Sequence, residues 1–259
     1  MRKQLLVLLM IPLLACALAT RASAITLADL LPGGGTPSVT VGNLTFSNFS
    51  NFSPGPPYPA PNVDPSTITV TPFISGNSVG ISFSSPQFSV ANYSPSSATF
   101  TDPNGVMQDT AFDFNVSVTG GDPRLQIVTS SLTMAATVQV ASPPGPPTQV
   151  VIDESAVAAT APHATLAANH VEDTIASFTI VDLIDSETLS ATTRGLNISK
   201  NISLNVADNA DVGNASAQLT SFTESFDTAI VPEPASWALM VLGLPALLLA
   251  LMQRRHARR

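Results

Sequence analysis

Between Val39 and Phe226 apolar and polar residues alternate in short runs with a period of two, the spacing of strands that bury one face. Val39 and Val41, then Leu44 and Phe46, alternate with small polar residues, and Gly42-Asn43 between them reads as a bulge or a turn. Ile68 and Val70 make a short strand. Val79, Ile81 and Phe83 make another, with Gly80, Ser82 and Ser84 on the opposite face. Phe112, Phe114, Val116 and Val118 alternate with Asp113, Asn115, Ser117 and Thr119. Leu125 to Val140 reads as one or two strands, Val150 to Ile152 as another, and Ile175 to Val181 is apolar enough for a central strand. Leu196, Ile198, Ile202, Leu204 and Val206 form the clearest strand. Lys200 falls on its apolar face, a position that predicts snorkelling or a kink. The last strand is predicted from Ser216 to Phe226, with Phe222 and Phe226 inward.

Proline and glycine punctuate these runs. Ser53 to Pro61 is an extended proline loop, without the glycine at every third residue that collagen needs. Asp102-Pro103-Asn104-Gly105 has the residue types of a tight turn, Gly120-Gly121-Asp122-Pro123 ends a strand, and Ser142 to Pro147 is a second proline loop. Glu154 to Asn169 is alanine-rich but carries Pro162 and β-branched residues, which predicts irregular chain with a short helix at most. Pro32-Gly33-Gly34-Gly35 marks residues 25–37 as a linker. The crossover helices of a parallel α/β fold are absent. The pattern therefore predicts an all-β fold, an antiparallel β-sandwich body over residues 38–230.

Both ends differ from this body. Arg2 and Lys3, an apolar run from Leu5 to Ala19, and the small-x-small site Ala22-Ser23-Ala24 predict a signal peptide over residues 1–24, cleaved after Ala24. Leu13-Leu14-Ala15-Cys16 offers a competing lipoprotein reading, although the apolar run continues past it. If Cys16 leaves with the signal, the mature chain has no thiol for disulfides or metals. Residues 231–259 contain Pro232-Glu233-Pro234, then an uncharged run from 235 to 252, then Arg254, Arg255, Arg258 and Arg259. At helical rise that run spans about 27 Å, close to the hydrocarbon thickness of a bilayer. The arginines act as a stop-transfer signal on the cytoplasmic side.

This C-terminal order of tripeptide, apolar helix and basic tail resembles the PEP-CTERM sorting signal of exported bacterial proteins. Gly42 to Phe49, the strand around Lys200 and the closing Ser-x-Phe-x-x-x-Phe also resemble the bodies of such proteins. The resemblance implies export by the secretory translocase, transient anchoring in the inner membrane and processing by an exosortase-type membrane protease. Delivery to the cell surface or an exopolysaccharide matrix would follow. It implies no activity for the body.

Charge narrows the partners further. Between Ile25 and Val231 only Arg124, Arg194 and Lys200 are basic, against seventeen acids, so the body carries −14. That disfavours nucleic acid and anionic lipid, and favours divalent cations. The chemistry on offer is thin. His163, His170 and Glu172 are too few for a zinc site. Asp102, Asn104, Asp109 and Asp113, and separately Asp208, Asp211 and Asn214, supply hard oxygens without a calcium-loop spacing. Neither a metal site nor a cofactor is expected. The adjacent acids Asp153-Glu154 and Glu172-Asp173 point to opposite faces of a strand, so neither pair can flank one bond, though carboxylates from separate strands can converge. No nucleophile-elbow, zinc-protease or phosphate-loop motif is present. Tyr58 and Tyr93 are the body's only tyrosines, a poor supply for a sugar-stacking surface. Eight Asn-x-Ser/Thr triplets, at Asn43, Asn48, Asn51, Asn92, Asn115, Asn197, Asn201 and Asn214, follow from the polar outer faces. The sequence reads as a non-enzymatic surface or matrix protein, with a secreted carbohydrate-binding module and an unrecognised secreted hydrolase as alternatives.

Overall fold

The computed structural model describes residues 25–55, 62–92, 106–139, 148–175, 179–206 and 215–232. They are almost entirely antiparallel β-structure. The chain opens with β1 (Ile25–Thr26) and a one-turn helix α1 (Leu27–Leu30), followed by β2 (Ser38–Val41) and β3 (Leu44–Ser53). Next come β4 (Thr69–Ser75), β5 (Ser78–Ser84), β6 (Ser89–Asn92), β7 (Val106–Val118) and β8 (Leu125–Gln139). β9 (Thr148–Ala158), β10 (Thr165–Ala167), β11 (His170–Ile175), β12 (Thr179–Asp182) and β13 (Ile184–Thr193) follow. β14 (Gly195–Val206) and β15 (Ala215–Ile230) close the body.

Among the described residues these strands form two sheets. One has the order β1-β4-β5-β15-β8-β13, with β6 also on β15; the other runs β12-β11-β9-β14-β7-β3-β2, with β10 on β9. The inward residues of both sheets make one hydrophobic core. Its centre is a set of phenylalanines placed by the period-two pattern. Phe83 and Phe222 are ladder partners on β5 and β15, and their rings stack at 4.7 Å. Phe83 meets Phe112 of the other sheet at 5.2 Å, and Phe46 meets Phe226 across the same gap at 6.2 Å. Such ring pairs add about 0.5–1.5 kcal/mol each beyond their buried area. The antiparallel sandwich read from the alternation is therefore present.

Several boundaries differ from expectation. Residues 25–30 are no linker. β1 pairs with β4, Leu27 and Leu30 are buried, and the Leu27 amide donates to the Ile68 carbonyl at 2.8 Å. Thr26 and Asp29 close a capping box over α1, which lets a single turn persist. The alanine-rich stretch from Glu154 continues as β9 and then forms β10, because its alternate residues Glu154 and Ala156 face the core, as do Leu166 and Ala167. Ile175 to Val181 is no central strand. Its two ends belong to β11 and β12, which pair antiparallel at the sheet edge. Leu125–Gln139 is one long strand, and β15 runs four residues beyond Phe226. Gly42-Asn43 is a two-residue hairpin turn between β2 and β3, with Gly42 at φ +57°, where glycine carries no steric penalty.

Two close fits hold β5 against β15 and fix the β7–β8 turn. A Cβ on Gly80 would lie 2.1 Å from the Glu224 carbonyl and 2.7 Å from the Phe73 ring, so β5 can approach β15 only through glycine there. At the far end, the Arg194 guanidinium donates to the carbonyls of Asp122 (2.6 Å), Leu125 (3.1 Å), Gly120 (3.4 Å) and Val118 (3.5 Å), pinning the β7–β8 turn. A lysine has no planar fork with which to reach four carbonyls. Arg194→Lys should lower stability by about 2 kcal/mol, read as a fall in the urea midpoint at unchanged slope.

Candidate functional site

Three strands carry a charged residue where the alternation calls for an apolar one. On β9 the inward series is Val150, Ile152, Glu154, Ala156; on β14 it is Ile198, Lys200, Ile202; on β15 it is Phe222, Glu224, Phe226. Lys200 and Glu154 are ladder partners on neighbouring strands, so their side chains leave the same face side by side. Glu224 comes from the opposite sheet. The three meet in the middle of the sandwich, each with a fully buried side chain. Lys200 therefore neither snorkels nor kinks its strand: β14 stays in register with both neighbours through this point.

The Lys200 ammonium donates to Oε2 of Glu154 and to Oε2 of Glu224. The other carboxylate oxygens are served from β8 and from the link between β10 and β11. Ser130 Oγ lies 2.8 Å from Glu154 Oε1 and 3.0 Å from Glu224 Oε1. Asn169 Nδ2 donates to Ser130 Oγ and to Glu154 Oε1, both at 2.9 Å. Asn169 is itself fixed by its neighbours. Its carbonyl accepts from the Glu154 amide at 2.9 Å, the Ala168 amide donates to Glu187 and the His170 amide to Asp185. Two acids of β13 thus hold in place the backbone that presents the asparagine.

One cation between two carboxyls cannot neutralise both at this depth. Burial pushes the Glu224 carboxyl well above the usual carboxylate range, and the adjacent Glu154 charge pushes it further, so it keeps its proton. Burial also works against ionised Glu154. The Lys200 charge and the hydrogen bonds from Glu224, Lys200 and Ser130 outweigh it and hold this carboxyl below its ordinary value. Lys200 loses hydration on burial, yet the two glutamates raise its affinity for the proton above that of a free lysine. The cluster is thus ammonium, carboxylate and carboxylic acid, neutral as a unit.

The residues singled out earlier fall elsewhere. His170 Nδ1 sits 2.7 Å from Asp153 Oδ1 and its Nε2 3.6 Å from Glu172 Oε2, on the solvent side of β9 and β11. His163 is exposed and bonds the Ala158 carbonyl at 3.1 Å. Asp113 is taken up by Ser199 and Asn51, each at 2.6 Å. Among the described residues no group of three acids, histidines or cysteines is arranged to hold a metal ion. Among them, too, no helix is long and apolar enough to cross a membrane. Pro232 is exposed just after β15. Glu233, Pro234, the run 235–252, Arg254, Arg255, Arg258, Arg259, Ala22, Ala24, Cys16, Tyr58 and Tyr93 lie outside the described residues, as do Asp102, Asn104, Asp208, Asp211 and Asn214.

No protein-family model and no curated protein matches the chain. Among solved structures, the C-terminal domain of a chitobiase from Bacteroides fragilis aligns over 75% of this chain and 99% of its own, at 9% identity and a TM-score of 0.28. A family 4 carbohydrate-binding module aligns over 73% and 87%, at 11% identity and 0.20. The family 11 carbohydrate-binding module from Clostridium thermocellum, in complex with a mixed-linked tetrasaccharide, aligns over 76% and 97%, at 7% identity and 0.19. None of these likenesses carries a ligand across to this chain.

Removing the cation alone should be severe. Lys200→Met leaves the buried Glu154 carboxylate without its counter-charge and should cost about 3–5 kcal/mol, whereas adding Glu154→Gln and Glu224→Gln should restore most of it. Urea unfolding of the single and triple variants checks this. A weaker pH effect comes from His170. The Asp153 hydrogen bond raises its pKa against a partial opposing effect of burial, with Glu172 adding to the rise. Its stabilisation is complete below the unfolded value near 6.5 and is lost as pH rises through the folded value. With the side chain 49% exposed, screening keeps the effect below about 1 kcal/mol. His170→Gln should flatten that part of the melting-temperature profile between pH 5.5 and 8.5.

Proposed function

We propose that the chain is a non-enzymatic exported protein of the cell surface or extracellular matrix, sorted by a PEP-CTERM signal. The observation that carries this is the order Pro232-Glu233-Pro234, uncharged run 235–252 and four arginines, set directly after the last strand of a folded body. β15 ends at Ile230, the Val231 amide donates to the Arg124 carbonyl at 2.9 Å, and Pro232 is exposed. Neither proline of the tripeptide can donate a backbone hydrogen bond, and each biases the residue before it to extended geometry. On this reading the segment does not prolong β15, because its prolines offer no ladder donor. It leaves an extended strip at the bilayer surface for an exosortase-type membrane protease, with Glu233 as its single charge. The secretory translocase delivers the chain to that point through the signal peptide ending at Ala24.

A non-catalytic body fits the cluster. Glu154 and Glu224 do converge, but both are sealed from solvent, so no substrate bond can lie between them. The exposed large apolar side chains among the described residues, Ile74, Met107, Val181, Ile184 and Ile230, include no aromatic ring for stacking on sugars. The body then serves as stable cargo whose acidic surface stays soluble in a matrix of exopolysaccharide.

The sorting signal is tested by substituting Glu233 and Pro234 with alanine in a host that contains the protease. The variant should accumulate as a full-length membrane-bound form, while the native chain loses its tail and leaves the inner membrane. Identical fractionation of the two would reduce the segment to a linker before a simple anchor. Glycan-array binding by the native chain would move the body into the carbohydrate-binding class.

A further inference from the structure

We propose that the buried cluster is a self-modification site, at which Lys200 Nζ condenses with the Glu224 side-chain carboxyl to form an amide that joins the two sheets covalently. The residues needed for an acyl transfer are already in contact. The amine nitrogen touches the carboxyl group of Glu224 on one side and that of Glu154 on the other. All three side chains are shut off from water, and the Phe112 ring lies beside the lysine as its ladder partner on β7. Groups held in contact in this way react as if at effective concentrations of about 10⁵–10⁸ M.

The roles follow from the protonation pattern. A carboxyl is an acyl donor to an amine only when neutral, and Glu224 is the one that keeps its proton. Glu154 is the carboxylate, and it is the base. It takes a proton from the Lys200 ammonium, and the freed nitrogen lone pair attacks Glu224 Cδ. Negative charge collects on Glu224 Oε1, where Ser130 Oγ stands 3.0 Å away with Asn169 Nδ2 bonded behind it. Glu154 hands its proton to the departing hydroxyl oxygen and takes the second proton from nitrogen. The C–O bond breaks, the C–N bond remains, and one water is released. Nothing is oxidised or reduced, and no co-reactant enters.

The energetics favour the product at this depth. The reactants hold an ammonium and a carboxylate in the core; the product holds an amide and a neutral Glu154. Two buried charges disappear, and the water leaves for solvent. In water the same ions would be fully hydrated and would not condense, so the reaction waits on folding. The bond ties β14 to β15 across 24 residues of chain. β15 is the strand that continues into residues 231–259.

The test is the mass of the wild-type full chain after unfolding and cleavage at Asp208 and Asp211, which lie between the two residues. A single branched peptide should appear, one water lighter than its two linear parts, with fragmentation placing the bond on Lys200 and Glu224. Trypsin should fail to cut after Lys200. Glu154→Gln keeps the size of the base but not its basicity, and should give the two linear peptides at full mass. Because this readout needs no Lys200 variant, a misfolded Lys200→Met would not obscure it. Linear wild-type peptides at full mass would overturn the proposal. So would a branched peptide one ammonia lighter, which would put the bond on Asn169, or a Glu154→Gln chain cross-linked like wild type.

Discussion

A lysine held between two glutamates in a water-free core is the constraint on which this sandwich turns. Apolar side chains alone would let the two sheets slide or rotate against each other with little change in buried area, because hydrophobic burial has no direction. An ion cluster has direction. Glu154 and Lys200 are fixed to each other by strand register, and Glu224 must arrive from the other sheet at one place to meet them. A register slip of one residue on β15 would turn Glu224 to solvent and bring its neighbours inward, leaving the lysine short of a partner. The cluster contributes specificity more than net stability, since dehydration of buried charges offsets most of their attraction.

The body's sparse cations fall in the same pattern. Its three basic residues all have structural work. Lys200 lies in the core, Arg194 gathers the carbonyls of the β7–β8 turn, and Arg124 forms a bidentate pair with Asp122 in that turn. Two of the seventeen acids, Glu154 and Glu224, are taken up by Lys200 in the core, and the other fifteen are met by little positive charge. The result is an anionic surface that repels like surfaces. Asp185 and Glu187 show that some of these acids are also used: both accept from backbone amides flanking Asn169 and so hold one arm of the cluster in place.

The position of the cluster bears on how firmly β15 is held. β14 and β15 occupy interior positions in their respective sheets, and β15 leads directly to Pro232. Tension applied at the C-terminal end enters the body through β15, which is flanked by β8 on one side and by β5 and β6 on the other. A strand paired on both sides and tied through its middle to the other sheet resists being drawn out better than an edge strand would.

The alternation of apolar and polar residues was enough to determine the fold class, the phenylalanine core and most strands, because period two is set by the backbone of a strand and needs no partner to be read. The inward positions of Phe222 and Phe226 even implied that Glu224, midway between them, faces the core. Lys200 between Ile198 and Ile202 carried the same message, and Glu154 follows Ile152 in the same phase. The missing step was pairing. Which inward charge meets which depends on strand order and on how two sheets are laid together, and contacts separated by 24 and 46 residues leave no local trace. The same limit explains Ile25 to Leu30 and the β10 region: their local composition speaks of linker and irregular chain, yet each gains a strand partner and a buried face only when the rest of the sandwich is present. Residue identity decided what must be hidden from water; tertiary structure alone decided what the hidden charges would find there.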